Sequence, residues 1–391
     1  MKKKLRKCIL TIFTLLCCGF SRLTIKAFNT TLLDNLSATY AIVIDRDTNQ
    51  VLAQKNADEK MYPASMTKMM TAIIAIENLT DLNQTIPITE QMLEGLQEEG
   101  ASVAGFQVGD TPTVQDILYG IALPSGADAT NAAAYTICGS IEEYVQLMND
   151  KAHQIGMTNT HFVNTSGLHD DDHYSTARDI AKLLQYCLNN QTFETIFSSH
   201  EYTTTPLQSA PAGILLESSL FQAAQANNYS IPGLIGGKTG FTSPAGRCLA
   251  SWDDVQDMHL ITVVANADAY SLTSPHIADT DQILQQLQSW NQKAVLSKSD
   301  TITTITVTHP FAKEEKIEVK APADFKYDLP EDAEATVTCK FPETIASSNS
   351  SQNITGDLTI TINGEIEYTT KMMIKIKPEQ HLLDKIALLL S

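Results

Sequence analysis

The segment Pro63-Ala64-Ser65-Met66-Thr67-Lys68 runs directly into the apolar residues 69–76, whose sequence is MMTAIIAI. Apolar character over this length predicts a buried helix that begins near the serine. Residues three positions apart share one face of a helix, so the hydroxyl of Ser65 and the amine of Lys68 can meet. Because the helix around it is apolar, the Lys68 amine should lie against a buried wall.

A serine beside a lysine can carry out nucleophilic catalysis. A serine hydroxyl is a weak nucleophile until a neighbouring base takes its proton, and a lysine is such a base when burial or nearby positive charge keeps it neutral. The helix N-terminus would also favour the negative charge that develops in acyl transfer. We predict Ser65 as the nucleophile and Lys68 as the base. In the alternative interpretation, Ser65 only caps the helix and Lys68 is a solvated residue of its first turn.

The order of strand and helix patterns predicts the fold class. The predicted strands cover residues 39–45, 50–54, 238–252 and 260–265. The predicted helices cover residues 112–150, 176–189 and 278–294. Thr113 and Asp116 match a capping box at the first of these helical regions. Strands at both ends with helices between them predict an α+β domain, in which the first and last strands share one antiparallel sheet flanked by helices.

A second domain follows, because from Thr301 the sequence changes to short alternating strands such as TITTITVT, KIEVKA and ATVTCKF. This pattern predicts a small β-sandwich, and 391 residues leave room for two domains. We place the α+β domain at residues 28–296, the sandwich at 297–378 and a short amphipathic segment at 379–391. That segment is too short to span a bilayer and either lies on a membrane surface or packs on the sandwich.

The N-terminus predicts export. Its basic residues, which precede an apolar run over residues 9–20, are Lys2, Lys3, Lys4, Arg6 and Lys7. This is the pattern of a signal peptide or signal anchor, which we place at residues 1–27. We therefore expect the remaining chain on the outer side of a membrane.

Charge and cysteine usage exclude other classes of partner. The formal net charge of −18 argues against nucleic acid. Beyond the leader, the cysteines are Cys138, Cys187, Cys248 and Cys339. Their wide spacing predicts neither a zinc motif nor a disulfide framework, and we expect neither a metal nor a cofactor.

Two further segments supply groups that a serine acyl-transfer reaction needs. Leu123-Pro124-Ser125-Gly126-Ala127-Asp128 lies between helical stretches, where Ser125 can relay a proton to a leaving amine. Lys238-Thr239-Gly240 lies at a predicted strand edge, where a lysine and a hydroxyl can hold a carboxylate and a glycine lets a ligand approach closely. Each segment alone is weak evidence for a serine acyl-transfer site. Together with the Ser65–Lys68 segment, and in this order along the chain, they are strong evidence.

These segments resemble the motifs of the serine D-alanyl-D-alanine carboxypeptidases, the low-molecular-mass penicillin-binding proteins of peptidase family S11. The resemblance runs from about residue 38 to residue 287 and includes FVNTSGL at residues 162–168 and HYSTARD at residues 173–179. It implies a β-lactamase/DD-peptidase-like fold outside the bacterial cytoplasmic membrane. The implied partners are peptidoglycan stem peptides ending in D-Ala-D-Ala and β-lactam antibiotics.

The resemblance also implies roles for individual residues. Ser65 would attack the carbonyl between the two D-alanines, Lys68 would act as base, and Ser125 would help to protonate the departing D-alanine. The free carboxylate would be bound by Lys238, Thr239 and Gly240. The backbone N–H groups of Ser65 and Phe241 would form the oxyanion hole.

One position departs from the family's pattern. The second motif usually ends in asparagine, and here Ala127 occupies that position. Asp128 and Asn131 are near, and Asn131 is a possible substitute on the same helix face. Loss of such a polar contact should lower the rate or shift substrate preference by about 1–3 kcal/mol. No arginine matches a further carboxylate-binding role, because Arg247 lies too close to Lys238 along the chain.

Three other functions are alternatives at this point. The segment HDDDH at residues 169–173, with His161, offers ligands for a zinc-dependent D,D-peptidase, although an acidic loop before a helix N-cap explains it more simply. A class A β-lactamase would need a Glu-x-x-Leu-Asn pentapeptide, which the chain lacks. A non-catalytic peptidoglycan-binding protein would agree with Ala127 but not with the intact serines and lysines.

Overall fold

The computed structural model describes residues 31–308, 314–331, 333–346, 351–362 and 365–376. The chain divides into two compact units. The first runs to Gln292 and also contains Asp328–Glu331, and the second includes Lys293–Tyr327 and the chain from residue 332. The predicted signal segment and the predicted amphipathic segment lie outside the described residues. Within the described ranges, no helix has the length and apolar character needed to cross a membrane.

A five-stranded antiparallel sheet organises the first unit. Its strands are β1 (Tyr40–Asp45), β2 (Val51–Lys55), β5 (Leu234–Thr242), β6 (Gly246–Val255) and β7 (Met258–Ala267). Their order is β2-β1-β7-β6-β5, which places β5 at one edge. The first strand pairs with the last in the register Ile42↔Val263, so the predicted α+β fold with one shared sheet is confirmed. A separate short ribbon contains β3 (Glu201–Thr203) and β4 (Leu215–Glu217).

Three predicted elements have other boundaries in the structure. The single strand expected from Lys238 to Trp252 is two strands, because the chain turns between Thr242 and Gly246. The turn ends in Gly246 at φ +65°, a left-handed conformation that favours glycine. The turn expected over residues 253–257 is shorter, because β6 continues to Val255 and β7 begins at Met258. The closing helix also ends early, at Leu287, so that Trp290 begins a strand.

Helices cover both faces of this sheet. The described helices are α1 (Lys68–Asn78), α2 (Glu90–Leu93), α3 (Val114–Ala122), α4 (Ala127–Cys138), α5 (Ile141–Gln154), α6 (Ala177–Cys187), α7 (Gln191–Phe197), α8 (Ser219–Ala226) and α9 (Pro275–Leu287). The predicted helical region at residues 112–150 is therefore three helices. The capping box expected at its start is present, with reciprocal bonds between Thr113 and Asp116.

Helix α1 lies at the centre of the larger core, because it is apolar on every side. All its residues from Lys68 to Ile76 are buried. Small residues let the neighbouring helices approach closely, since a Cβ added to Gly120 of α3 would lie 3.1 Å from the Cβ of Ala129 in α4. Helix α9 covers the opposite face of the sheet, where Ile283 packs in one cluster with Leu249 of β6.

The second unit is β-rich, as its alternating sequence predicts. The remaining strands that the structure describes, which lie wholly or partly in this unit, are β8 (Trp290–Leu296), β9 (Thr301–Thr308), β10 (Glu315–Lys320), β11 (Phe325–Pro330), β12 (Ala335–Lys340), β13 (Thr344–Ala346), β14 (Gln352–Ile362) and β15 (Glu365–Ile376). They include the three-stranded sheets β10-β9-β13 and β12-β14-β15. Apolar residues from both of these sheets, among them Ile305 and Leu358, meet in one cluster.

Candidate active site

Ser65 and Lys68 are in the contact that their spacing predicts. Ser65 lies in a 3-10 turn, Ala64–Thr67, which continues into α1 at Lys68. The Lys68 Nζ donates to Ser65 Oγ at 3.1 Å and to the carbonyl of Ser166 at 2.7 Å. Lys68 is only 2% exposed, so its amine is held against the hydroxyl within a wall of buried side chains.

The surroundings of Lys68 favour its neutral form. Burial lowers the pKa of Lys68 well below its usual value, and the positive charge of Lys238 lowers it further. The carboxylate of Asp128 acts in the opposite direction but more weakly. A neutral amine can accept the proton of the neighbouring hydroxyl. The electrostatics therefore agree with a base at this position.

A loop that carried no assigned role in the sequence holds Lys68 from the other side. The Asn164 Oδ1 accepts the backbone N–H groups of Ser166 at 3.2 Å and Gly167 at 2.7 Å. Gly167 has φ +82°, and a Cβ on it would lie 1.9 Å from the carbonyl oxygen of Ala64. Only glycine fits there, so the loop packs directly on the turn that carries the serine. The FVNTSGL segment marks this loop in the sequence. Its contact with Lys68 is made by the backbone carbonyl of Ser166, and since every residue has such a carbonyl, the sequence could not reveal the contact.

Ser125 lies in the short connection between α3 and α4. Its backbone is left-handed at φ +64°, a strained conformation for a serine. The side-chain Oγ is buried and has no hydrogen-bond partner among the described residues. A buried hydroxyl normally has a partner, so this one is available to a group that enters the site.

Ala127 is buried at the start of α4, and the polar residues near it are engaged elsewhere. The Asp128 carboxylate accepts backbone N–H groups of Ala104, Gly105 and Phe106 at 2.8–3.1 Å, which fixes the loop before α3. Asn131 donates to the carbonyl of Met92 and accepts from the Thr165 hydroxyl. The possible replacement of the missing asparagine by Asn131 is therefore wrong. The carbonyl of Ser166 is the additional partner of Lys68.

The third segment lies on the edge strand β5, against the Ser65 turn. A Cβ added to Gly240 would lie 3.1 Å from the backbone nitrogen of Ser65, so strand and turn approach as closely as glycine permits. Lys238 is 1% exposed, and burial lowers its pKa to about 7. The Thr239 hydroxyl is 2.7 Å from that of Ser219. The next residue, Phe241, has a half-exposed side chain. Its backbone N–H and that of Ser65 are the predicted donors of the oxyanion hole.

The histidine-rich segment serves packing and hydrogen bonding. His173 is buried, with Nε2 2.8 Å from the Thr67 hydroxyl and Nδ1 accepting the Val163 N–H at 3.1 Å. Burial lowers its pKa to about 4, so it is neutral at physiological pH. His161 contacts the carbonyl of Asp172 at 2.7 Å. Among residues that the structure describes, no group of three His, Cys, Asp or Glu side chains is arranged to hold a metal.

Comparison with known proteins agrees with this geometry. A family model described as D-alanyl-D-alanine carboxypeptidase matches residues 27–269. The carboxypeptidase DacF of Bacillus subtilis strain 168 is 35% identical over 234 residues, which are 59% of this chain and 57% of that protein. DacC of Escherichia coli strain K12 is 34% identical over 235 residues, 58% of this chain and 56% of that protein. The chain thus matches little more than half the length of these relatives.

Solved structures extend the similarity of fold. A point mutant of the Streptomyces K15 DD-transpeptidase aligns with a TM-score of 0.58 at 28% identity, covering 64% of this chain and 97% of that one. The D-alanyl-D-alanine carboxypeptidase DacD from Francisella tularensis aligns with a TM-score of 0.71 at 22% identity. That alignment covers 92% of this chain and 97% of the other, so the β-rich region shares the fold as well.

Proposed function

Because the chain belongs to the D-alanyl-D-alanine carboxypeptidase family, we propose that it removes the terminal D-alanine from peptidoglycan stem pentapeptides through an acyl-enzyme on Ser65. The observation that carries the proposal is the buried Lys68 amine, 3.1 Å from Ser65 Oγ. An amine with a lowered pKa beside a hydroxyl is the arrangement that activates a serine. Membership of peptidase family S11 supports this serine chemistry over the zinc-dependent alternative.

In the proposed reaction, Lys68 takes the proton of Ser65 as its oxygen attacks the carbonyl between the two D-alanines. The oxyanion that forms is stabilised by the backbone N–H groups of Ser65 and Phe241. The unpaired hydroxyl of Ser125 relays the proton to the departing amine. Water then hydrolyses the ester and restores the serine, with Lys68 again as the base.

The substrate's free carboxylate is the feature that separates a carboxypeptidase substrate from an internal peptide bond. Lys238, when charged, and the hydroxyl of Thr239 bind it in the proposed complex, and Gly240 lets the peptide lie close to β5. A protonated amine and a hydroxyl are both donors that suit a carboxylate. β-Lactams with a carboxylate would occupy the same groups and acylate Ser65. Removal of the terminal D-alanine would limit peptidoglycan cross-linking.

We place this activity at the outer face of the bacterial cytoplasmic membrane or outside the cell. The basic and apolar residues before residue 21 support export through a signal segment. The apolar residues of the 379–391 segment support a peripheral contact with the membrane. Deleting residues 379–391 and measuring the membrane-bound fraction of the protein tests that contact.

Labelling with a fluorescent penicillin tests the proposed function, with D-alanine release from a stem pentapeptide measured in parallel. Wild type should be labelled and should release D-alanine, and Ser65→Ala should do neither. Ser289→Ala is the matched control, because Ser289 is exposed just beyond α9. Labelling without release would instead indicate a penicillin-binding protein without peptidase activity. Labelling of Ser65→Ala would exclude Ser65 as the nucleophile.

A further inference from the structure

Ser219 joins two of the segments that form the candidate active site. It is the first residue of α8. Its hydroxyl lies 2.7 Å from the hydroxyl of Thr239 on β5. Its backbone N–H donates to the carbonyl of Leu123 at 3.0 Å, two residues before Ser125. One residue thus contacts both the predicted carboxylate-binding strand and the predicted proton-relay loop.

The direction of the hydroxyl–hydroxyl bond decides what Thr239 can do. A hydroxyl has one proton to donate, whereas a carboxylate only accepts. If Ser219 donates to Thr239, the Thr239 proton is free to point at an incoming carboxylate. If Thr239 donates to Ser219, its proton is turned away and its lone pairs face the anion. An anionic ligand therefore selects the first direction, and the donated bond makes Thr239 a stronger donor in turn.

We propose that Ser219 is a positioning residue that orients the Thr239 hydroxyl toward a substrate carboxylate and so sets the preference for substrates with a free carboxyl terminus. This inference rests on the proposed function, and Ser219 itself need not touch the substrate.

The side chain and the backbone of Ser219 have separable roles. The start of α8 is anchored by Leu220, which is 1% exposed and packs in the core beneath the sheet. The N–H bond to Leu123 belongs to the backbone and survives any substitution except proline. Replacing Ser219 by alanine therefore removes the hydroxyl contact to Thr239 and leaves the link to the Ser125 loop in place.

Acylation by a penicillin and by its carboxylate methyl ester tests the proposal. In wild type, the free carboxylate should give the faster acylation. In Ser219→Ala, the rate with the free acid should fall about tenfold, because the Thr239 hydroxyl loses the neutral hydrogen bond that turns its proton toward the carboxylate, while the rate with the ester stays unchanged. Ser219→Thr keeps a hydroxyl and should retain the wild-type ratio of the two rates. Ser218→Ala is the matched control, because the described chain shows no side-chain cap bond from Ser218 to α8.

Each other outcome decides against the proposal. An equal fall with both compounds in Ser219→Ala would show a general structural role, and no fall with either would show that the contact has no effect. A changed ratio in Ser218→Ala would show that the ratio responds to the loop in general and not to the Thr239 contact. A wild type that neither compound acylates would overturn the proposed function and this inference with it, whereas labelled wild type with an unaltered variant overturns only the inference.

Discussion

The two faces of the five-stranded sheet bury ionisable groups of opposite sign. On the face toward α1, the amines of Lys68 and Lys238 are buried and have lowered pKa values. On the face toward α9, the carboxyl of Asp253 in β6 is buried, and burial raises its pKa to about 7. Both faces favour neutral groups, so burial of a charge alone does not mark a functional site.

The difference lies in what stands next to each group. Lys68 touches the hydroxyl of Ser65 beside the edge strand β5, where a peptide can approach. Asp253 lies in β6, which is paired with β5 on one side and β7 on the other, and α9 covers its face of the sheet. Its Oδ2 accepts the hydroxyl of Ser251 at 3.1 Å, and its Oδ1 has no hydrogen-bond partner among the described residues. We therefore expect the lysine face to exchange protons with a ligand, and the aspartate face to lose stability by burying its carboxyl.

Lys68→Met is the change that should separate the two faces most strongly. Acylation by penicillin should fall by about a thousandfold, within the range expected for loss of a general base. The melting temperature should rise, because burial disfavours the charged form of Lys68 and lowers its pKa, and methionine removes that cost of burial. Scanning calorimetry and labelling rates measure both effects, with the exposed Lys298→Met as control. An unchanged labelling rate, or a lower melting temperature, would contradict this account of the lysine.

The pH dependence of kcat/KM for a stem pentapeptide should be bell-shaped. The acidic limb reports protonation of Lys68, whose lowered pKa lets the base form persist to lower pH than for a free lysine. The alkaline limb should lie near pH 7, because Lys238 loses its charge there in the free enzyme. A bound substrate carboxylate favours the charged form of Lys238 and raises its pKa. The alkaline limb should therefore lie at higher pH in the profile of kcat than in that of kcat/KM.

Lys238→Arg is the matched variant for this profile, because arginine stays charged throughout. The variant should lose the alkaline limb near pH 7 and keep the acidic limb. If the alkaline limb stays in place, it belongs to another group, and Lys238 is not the residue whose charge binds the carboxylate.

The parts of the fold that follow from local sequence were predictable. The β1–β2 hairpin, the Thr113–Asp116 capping box and the Ser65–Lys68 contact each depend on residues close together in the chain, where periodicity and spacing carry the information. The break between β5 and β6 was missed because the apolar residues on both sides of it were taken as one strand, although Ser243-Pro244-Ala245-Gly246 contains turn-forming residues.

The partners that complete the candidate site were less predictable, because they come from distant segments. Ser166 meets Lys68 across 98 positions and does so through a backbone carbonyl, which every residue type possesses. Ser219 meets Thr239 across 20 positions, and a serine at the start of a helix is ordinarily read as a cap. Asn131 was considered because it lies four residues beyond Ala127 on one helix face, but the structure turns it toward Met92 and Thr165.

Asp253→Asn should have the smallest effect and should act on stability alone. The folded carboxyl has a pKa of about 7 and the unfolded one about 3.8, so between these values only the folded state holds the proton. Stability of wild type therefore falls as pH rises from 4 to 7, and the full loss persists above pH 7. Asparagine cannot ionise, so at pH 8 the variant should gain on the order of 1–3 kcal/mol, while at pH 4 the two proteins should be alike.

Denaturant unfolding at both pH values measures this difference, and penicillin labelling provides the functional control. The Ser251 hydroxyl donates to the Asp253 carboxyl, and a hydroxyl can also accept from an amide, so the new side chain keeps a hydrogen-bond partner. A labelling rate that changed with Asp253→Asn would connect the α9 face to the chemistry of the α1 face. A gain in stability that was the same at pH 4 and pH 8 would assign the effect to packing and not to the buried charge.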